Sequence, residues 1–217
     1  MSSTVRFCSK LKYFAAKATT DLLKSMHEVK QQQLEVLRQE IVDTGICPHL
    51  RTQVTQLVMG SGNPDASIVF IGEAPGKKED ETGLPFVGAS GRFLDEMLAA
   101  AGLKRDDVYI TNIVKYRPPN NRDPSREEKT AFAPYLAKQI SIIAPNVIIT
   151  LGRHSGMHFI PGLVISRDHG VSQDIVYQDK PLLVIPLYHP AAALYNGNMR
   201  QVLIDDFLAA TTIATQS

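Results

Sequence analysis

The sequence predicts an α/β protein, a three-layer α/β/α sandwich around a central, mainly four-stranded parallel sheet. Three observations predict it. Four short runs are apolar almost throughout: Ser67–Ile71 (SIVFI), Val108–Val114, Val147–Leu151 (VIITL) and Leu182–Leu187 (LLVIPL). Helical patterns separate them, and strands apolar on both faces with helices between them belong to a parallel sheet covered on both sides. The chemically unusual residues fall just after these runs, at the carboxyl ends where such sheets bind ligands.

Each element has its own justification. Leu22, Leu23, Met26, Val29, Leu34, Leu37 and Ile41 recur mostly at three- and four-residue spacing, which predicts a packing helix over residues 20–42. Thr20 or Asp21 is the expected cap and Gly45 the expected stop. Before it lie Arg6, Lys10, Lys12 and Lys17 with no acid among the first twenty residues. A frayed basic terminus is the preferred reading, and a weak organelle-targeting peptide the alternative. The first apolar run then predicts a buried strand followed by a Gly/Pro turn. Residues 88–101 read as a helix, 108–114 as a second strand, and 117–124 as a polar loop. Ser125 caps a helix to about Ile143, with Glu127 and Glu128 where the helix dipole favours them. The third and fourth strands follow, and a last helix spans about residues 198–212. The resulting division is an N-terminal segment, 1–46, and a main domain, 47–217.

Composition bounds the function. The 217 residues are 44% hydrophobic and 21% charged, with net charge +1, ordinary values for a globular chain with a sizeable core. Near-neutral charge argues against an unspecific polyanion binder but not against an enzyme with a small basic groove. No apolar run reaches the length of a membrane span. Two cysteines, Cys8 and Cys47, cannot build a disulfide framework, so an intracellular, cytoplasmic location is expected. A monomer is expected as well.

Four features carry the chemistry. The first strand runs into Gly72-Glu73-Ala74-Pro75-Gly76, whose glycines let backbone approach a ligand closely; Glu79 and Asp80 follow. Phe86, between Pro85 and Gly88, can stack on a planar ring or simply pack in the core. Asn112 ends the second strand; its amide offers one donor group and one acceptor in a plane, matching a uracil edge and mismatching cytosine. It can equally cap the strand. His189, after the fourth strand, can donate N–H to a developing anion or serve structure alone.

Together these segments become specific. GEAPGKKED, TGLPFVGASGRFLDEML, VYITNIVKYRPPNNRDP, PNVIITLG and YHPAAAL resemble the family 4 uracil-DNA glycosylases, in that family's order and near its spacing, over roughly residues 47–208. The resemblance implies an enzyme that flips deoxyuridine from DNA and hydrolyses its N-glycosidic bond, leaving uracil and an abasic site. It implies that His189 donates to uracil O2, that Asn112 reads the base edge, that Phe86 stacks on the ring, and that backbone at Gly72, Ala74, Pro75 and Gly76 lines the pocket. Glu73 and Glu79 are the candidate carboxylates: one orients His189 or Asn112 or positions water, and the other, preferably Glu79, crowds the C5 edge against thymine. The related family 1 enzymes carry a water-positioning Asp where Ala74 stands, so leaving-group stabilisation is expected to drive the reaction. Ala191 to Leu194 and Tyr195 are expected to wedge into DNA, and Arg117, Arg122 and Arg200 to contact phosphate. Uracil-containing DNA, single- or double-stranded, is the implied partner. Lys115 as a Schiff-base lyase residue is disfavoured, the family being monofunctional.

One departure stands out. The family usually holds a [4Fe–4S] cluster on four Cys, but here only Cys47 of that set remains. Thr44, Tyr116 and Phe132 occupy the other slots, and one thiolate cannot hold a cluster. No metal or cofactor is therefore expected, with Tyr116 and Phe132 filling the volume as an aromatic pair. Loss of the cluster also motivates the alternative of a non-catalytic DNA-binding or scaffold protein on the same fold.

Overall fold

The computed structural model describes residues 3–216, with side chains described from Leu23 onward. The strands are β1 (Ser61–Gly62), β2 (Ile68–Gly72), β3 (Tyr109–Asn112), β4 (Val147–Leu151), β5 (Gln173–Tyr177) and β6 (Lys180–Leu187). The helices are α1 (Ser3–Thr44), α2 (Pro48–Arg51), α3 (Lys77–Thr82), α4 (Ala89–Ala100), α5 (Arg126–Ile143), α6 (Arg153–Phe159), α7 (Ile165–Asp168), α8 (Ala192–Tyr195) and α9 (Met199–Gln216).

The sheet order is β1-β3-β2-β4-β6-β5. The four expected strands form its parallel centre, β3-β2-β4-β6. Two edge strands not read from the sequence, β1 and β5, pair antiparallel to their neighbours. Every residue of β2, β3 and β4 is buried, as central parallel strands must be when helices cover both faces. Side-chain alternation splits the core in two. Val69, Ile71 and Ile148 face α1 and α5, joining Leu37, Ile41, Phe132 and Leu136. Phe70 and Ile149 face α4 and α9, joining Phe93, Leu94, Met97 and Phe207. Phe70 and Phe207 stack with ring centroids 5.2 Å apart. Each such fully buried side chain contributes about 1.5–3 kcal/mol relative to exposure.

The N-terminal helix is longer than expected. Thr20 and Asp21 lie inside α1 rather than capping it. Its apolar face is shorter than the periodicity suggested: Leu34, Leu37 and Ile41 are buried, whereas Leu23, Met26 and Val29 are exposed. Lys138 on α5 reaches Glu40 at 2.6 Å, and Lys30 donates to the Ile143 carbonyl at 3.0 Å. The side chains of Arg6, Cys8, Lys10, Lys12 and Lys17 lie outside the described residues. No described helix is long and apolar enough to cross a membrane.

α5 begins as expected. Glu128 N donates to Ser125 Oγ at 3.2 Å and Ser125 N donates back to Glu128 Oε2 at 2.7 Å, a reciprocal capping box. The Glu128 carboxylate also takes Arg122 and His49 Nε2. The Arg122 guanidinium beside it holds its pKa down to about 2.

Candidate active site

Strand register builds the site. Gly72, the last residue of β2, pairs across the sheet with Asn112, the last of β3. A Cβ on Gly72 would lie 2.4 Å from Asn112 Oδ1 and 2.6 Å from Phe86 Cζ, so only glycine admits both side chains there. Asn112 is buried, and its Oδ1 has no hydrogen-bond partner. A buried amide oxygen left unsatisfied is costly in a resting protein and marks a place where a donor is meant to arrive.

His189, beyond the end of β6, faces the same point. Its ring centroid lies 5.7 Å from that of Phe86, with the planes 29° apart. Gly152 follows β4 at φ 105, and a Cβ there would come within 3.1 Å of His189 Cβ. The Ala191 amide donates to His189 Nδ1 at 3.1 Å. An accepting Nδ1 leaves the proton of a neutral ring on Nε2. Burial pushes the imidazole pKa down to about 4, against the opposing pull of the Glu79 carboxylate. The ring is thus a neutral N–H donor at physiological pH.

Phe86 is held in the left-handed region, at φ 51, where a bulky residue persists only when its surroundings over-determine it. They do. The Arg105 guanidinium donates to the carbonyls of Pro85, at 3.1 Å, and of Phe86, while its Nε binds Asp95 at 2.6 Å. On the other side Glu79 Oε1 accepts the amides of Val87 at 2.9 Å and Gly88 at 2.8 Å. Neither Arg105 nor this bracing role of Glu79 was legible in the sequence, because both depend on which backbone groups the fold brings near. A groove of about 1040 Å³ between α5 and the β5–β6 hairpin, lined by Lys138, His158 and Tyr177, contains none of these groups. The chemistry sits instead in the tight cleft over Gly72.

This pocket belongs to a known family. Residues 59–211 match the model of the uracil DNA glycosylase superfamily. The chain is 47% identical over 180 residues to a type-4 uracil-DNA glycosylase of Sulfurisphaera tokodaii, covering 80% of this chain and 81% of that protein. It is 46% identical to the type-4 enzyme of Archaeoglobus fulgidus (81% and 90% covered) and 40% identical to that of Thermotoga maritima (82% and 92%). The chain belongs to the uracil-DNA glycosylase superfamily.

The two carboxylates take different places. In the structure Glu79 accepts the Val87 and Gly88 amides, and the hydrogen bond to His189 Nδ1 comes from the Ala191 amide. Glu73 turns toward His154 on α6. Its Oε1 is buried without a hydrogen-bond partner, 3.7 Å from His154 Nδ1. His154 Nε2 lies 3.0 Å from Asp123 and 3.1 Å from an Arg153 nitrogen. Burial, with the Asp123 charge adding to it, pushes the Glu73 pKa up to about 7. Burial likewise lowers His154. Glu73, Asp123 and His154 bring ligand-type atoms within 4.8 Å of one another, but Arg153 and Lys129 act on the same spot and disfavour a cation. Arg153 and His154 follow the end of β4, so the strand-end rule that found Asn112 and His189 would have found them too.

The residues expected from the sequence to meet DNA are arranged unevenly. Leu194 and Tyr195, both on α8, are 49% and 91% exposed. The three arginines all have partners within the chain. Arg117 donates to Asn121 Oδ1 at 2.8 Å, and Arg122 pairs with Glu128. Arg200 pairs with Glu96 and lies over the Phe93 ring at 4.5 Å.

For the four-cysteine cluster that the resemblance to family 4 implies, the donor set among the described residues does not fit. Cys47 is buried, and burial raises its thiol pKa, away from the thiolate a metal needs. Thr44 Oγ1 bonds to the Glu40 carbonyl and to Tyr135 Oη. Tyr116 and Phe132, both buried, pack edge to face at 5.7 Å and 77°.

Proposed function

We infer that this chain is a uracil-DNA glycosylase that extrudes deoxyuridine from DNA and hydrolyses its N-glycosidic bond. The observation that carries this reading is the meeting, over Gly72, of the Asn112 amide, the Phe86 ring and the neutral His189 ring. A flipped base stacks on Phe86, an interaction worth about 1–3 kcal/mol per base. The unsatisfied Asn112 Oδ1 accepts uracil N3–H and its NH₂ donates to O4, a pattern cytosine reverses. The C1′–N1 bond breaks with its electron pair passing to the base. His189 Nε2–H then donates to O2, where charge collects. Backbone of Gly72, Ala74, Pro75 and Gly76 closes the pocket. Water adds to C1′ and releases a proton. With Ala74 offering no carboxylate, Glu73 is the group left to hold that water, and the second oxygen of Glu79 crowds the C5 edge.

On the DNA side, Ala191, Leu194 and Tyr195 form the wedge, and Arg117, Arg122 and Arg200 reach phosphate by exchanging or sharing their present partners. Both single- and double-stranded uracil DNA are substrates, the enzyme acts as a monomer, and a DNA substrate places it inside the cell. It folds without an iron–sulfur cluster, a reading supported by the Tyr116–Phe132 pair and the single remaining thiol.

The test is direct. Incubation with a labelled oligonucleotide carrying one uracil, followed by alkali, should cut the strand at that position. An uncut strand in both single- and double-stranded substrate would refute the reading. A visible iron–sulfur absorption band in the purified protein would refute the cluster-free part alone.

A further inference from the structure

Lys115 has no place in the mechanism above, yet it is fully buried. Its Nζ donates to Thr111 Oγ1 at 2.6 Å, to the Asn112 carbonyl at 2.8 Å and to Gln139 Oε1 at 2.6 Å. All three acceptors are neutral. The titratable groups facing it are Tyr109 on β3, bonded to Gln139, and His158 on α6, whose titration feels the lysine charge. Neither is an anion at neutral pH, since burial pushes the Tyr109 pKa up to about 12. Desolvating an ammonium without a counter-ion is expensive, and core packing would be served more cheaply by Met or Leu.

The geometry at Asn112 shows what the cost secures. The peptide that follows Asn112 is held at both ends: Ile113 N donates to the Gly72 carbonyl at 3.0 Å, and the Asn112 carbonyl takes Lys115. The amide that reads the base is thereby tied to the glycine it reads across. We propose that Lys115 is a positioning residue for uracil excision, its ammonium pinning the strand end so that Asn112 meets the base in one plane.

The pinning depends on charge. An ammonium has three hydrogens for three acceptors. A neutral amine has two hydrogens and a lone pair, and Thr111 must then turn its hydroxyl from the Met59 carbonyl, which it now meets at 2.8 Å, onto Nζ. Burial lowers the lysine pKa to about 7, so the charged state is lost within the working range of pH.

The inference rests on Asn112 reading the base, and the experiment separates the two. Single-turnover excision is followed from about pH 6 to about pH 9 for wild type, Lys115→Met and Asn112→Ala. The expected result for Lys115→Met is a rate reduced about tenfold or more at pH 6, with half-saturating DNA concentration changed less than about twofold. Wild type should slow as pH rises, and Lys115→Met should lack that alkaline limb. A Lys115→Met enzyme with the wild-type rate, or one that keeps the limb, overturns the proposal even if it melts earlier. If Lys115→Met does not fold, lysine ¹³Cε NMR on wild type decides instead: the buried lysine must titrate at the midpoint of the kinetic limb, and a mismatch overturns it. An active Asn112→Ala enzyme would instead remove the reading role of Asn112.

Discussion

The guanidinium of Arg105 donates to the carbonyl of Phe86 and so braces that residue in its left-handed backbone conformation beside His189. Glu79 grips the next two amides from the opposite side. The stacking proposed for Phe86 would therefore start from a ring already fixed in place, the entropy of ordering it being lost on folding.

Removing the clamp should cost activity before it costs the fold. Arg105→Ala should lower kcat/KM for uracil DNA about tenfold, equivalent to about 1.4 kcal/mol. The loss of two backbone hydrogen bonds should lower unfolding free energy by about 1–2 kcal/mol. Single-turnover kinetics and urea unfolding measure the two effects separately.

The proposed role of His189 requires a neutral donor. ¹⁵N NMR should find Nε2 protonated and Nδ1 bare until pH falls to about 4. Because the folded pKa lies below the unfolded value of about 6.5, the unfolded chain binds more protons between those limits, and this group's contribution to stability declines as pH falls through them. His189→Ala should reduce kcat by about 10²–10³, with the melting temperature little changed.

Glu73 titrates with the opposite sign. Its folded pKa of about 7 lies above the unfolded value, so the native state binds more protons between about pH 4.5 and pH 7. Stability from this group falls as pH rises through that window and is flat above it. Glu73→Gln removes the slope, and above pH 7 it should be more stable than wild type by about 2 kcal/mol, a figure discounted for the part of the side chain that meets solvent. Unfolding midpoints at two pH values are enough to check this. Equal mutant and wild-type slopes would show that Glu73 is not the group responsible.

Phe132, which the family resemblance sets in a cluster-ligand slot, is fully buried against Tyr116. Phe132→Ala should cost about 3–5 kcal/mol through the cavity it leaves. Prolonged treatment of wild type with an iron chelator should change neither melting temperature nor activity.

What the sequence disclosed follows from how strongly each residue's surroundings are fixed by local pattern. The parallel strands were legible because the residues they bury on both faces are apolar apart from Thr111, Asn112 and Thr150 near their carboxyl ends. β5 was not, since none of its residues is buried, half-buried and exposed positions simply alternating from Gln173 and Asp174 onward, and β1 has only two residues. Phe86, Asn112 and His189 were singled out by motif, the last two also by their place after strands, and the structure brings the three together. Arg105 and Lys115 were not, because a charged side chain reads as solvated until tertiary contacts bury it. The same reason hid the partners of Arg122 and Arg200, which the sequence presents as free surface charges.

The Tyr116–Phe132 pair has a consequence beyond packing. On the cluster-free reading proposed above, a domain packed here by two carbon rings asks nothing of cellular iron supply, needs no assembly machinery to mature, and offers oxidants no cluster to strip. Conditions that starve or oxidise a cell would then leave uracil removal intact, at the time when damaged bases accumulate.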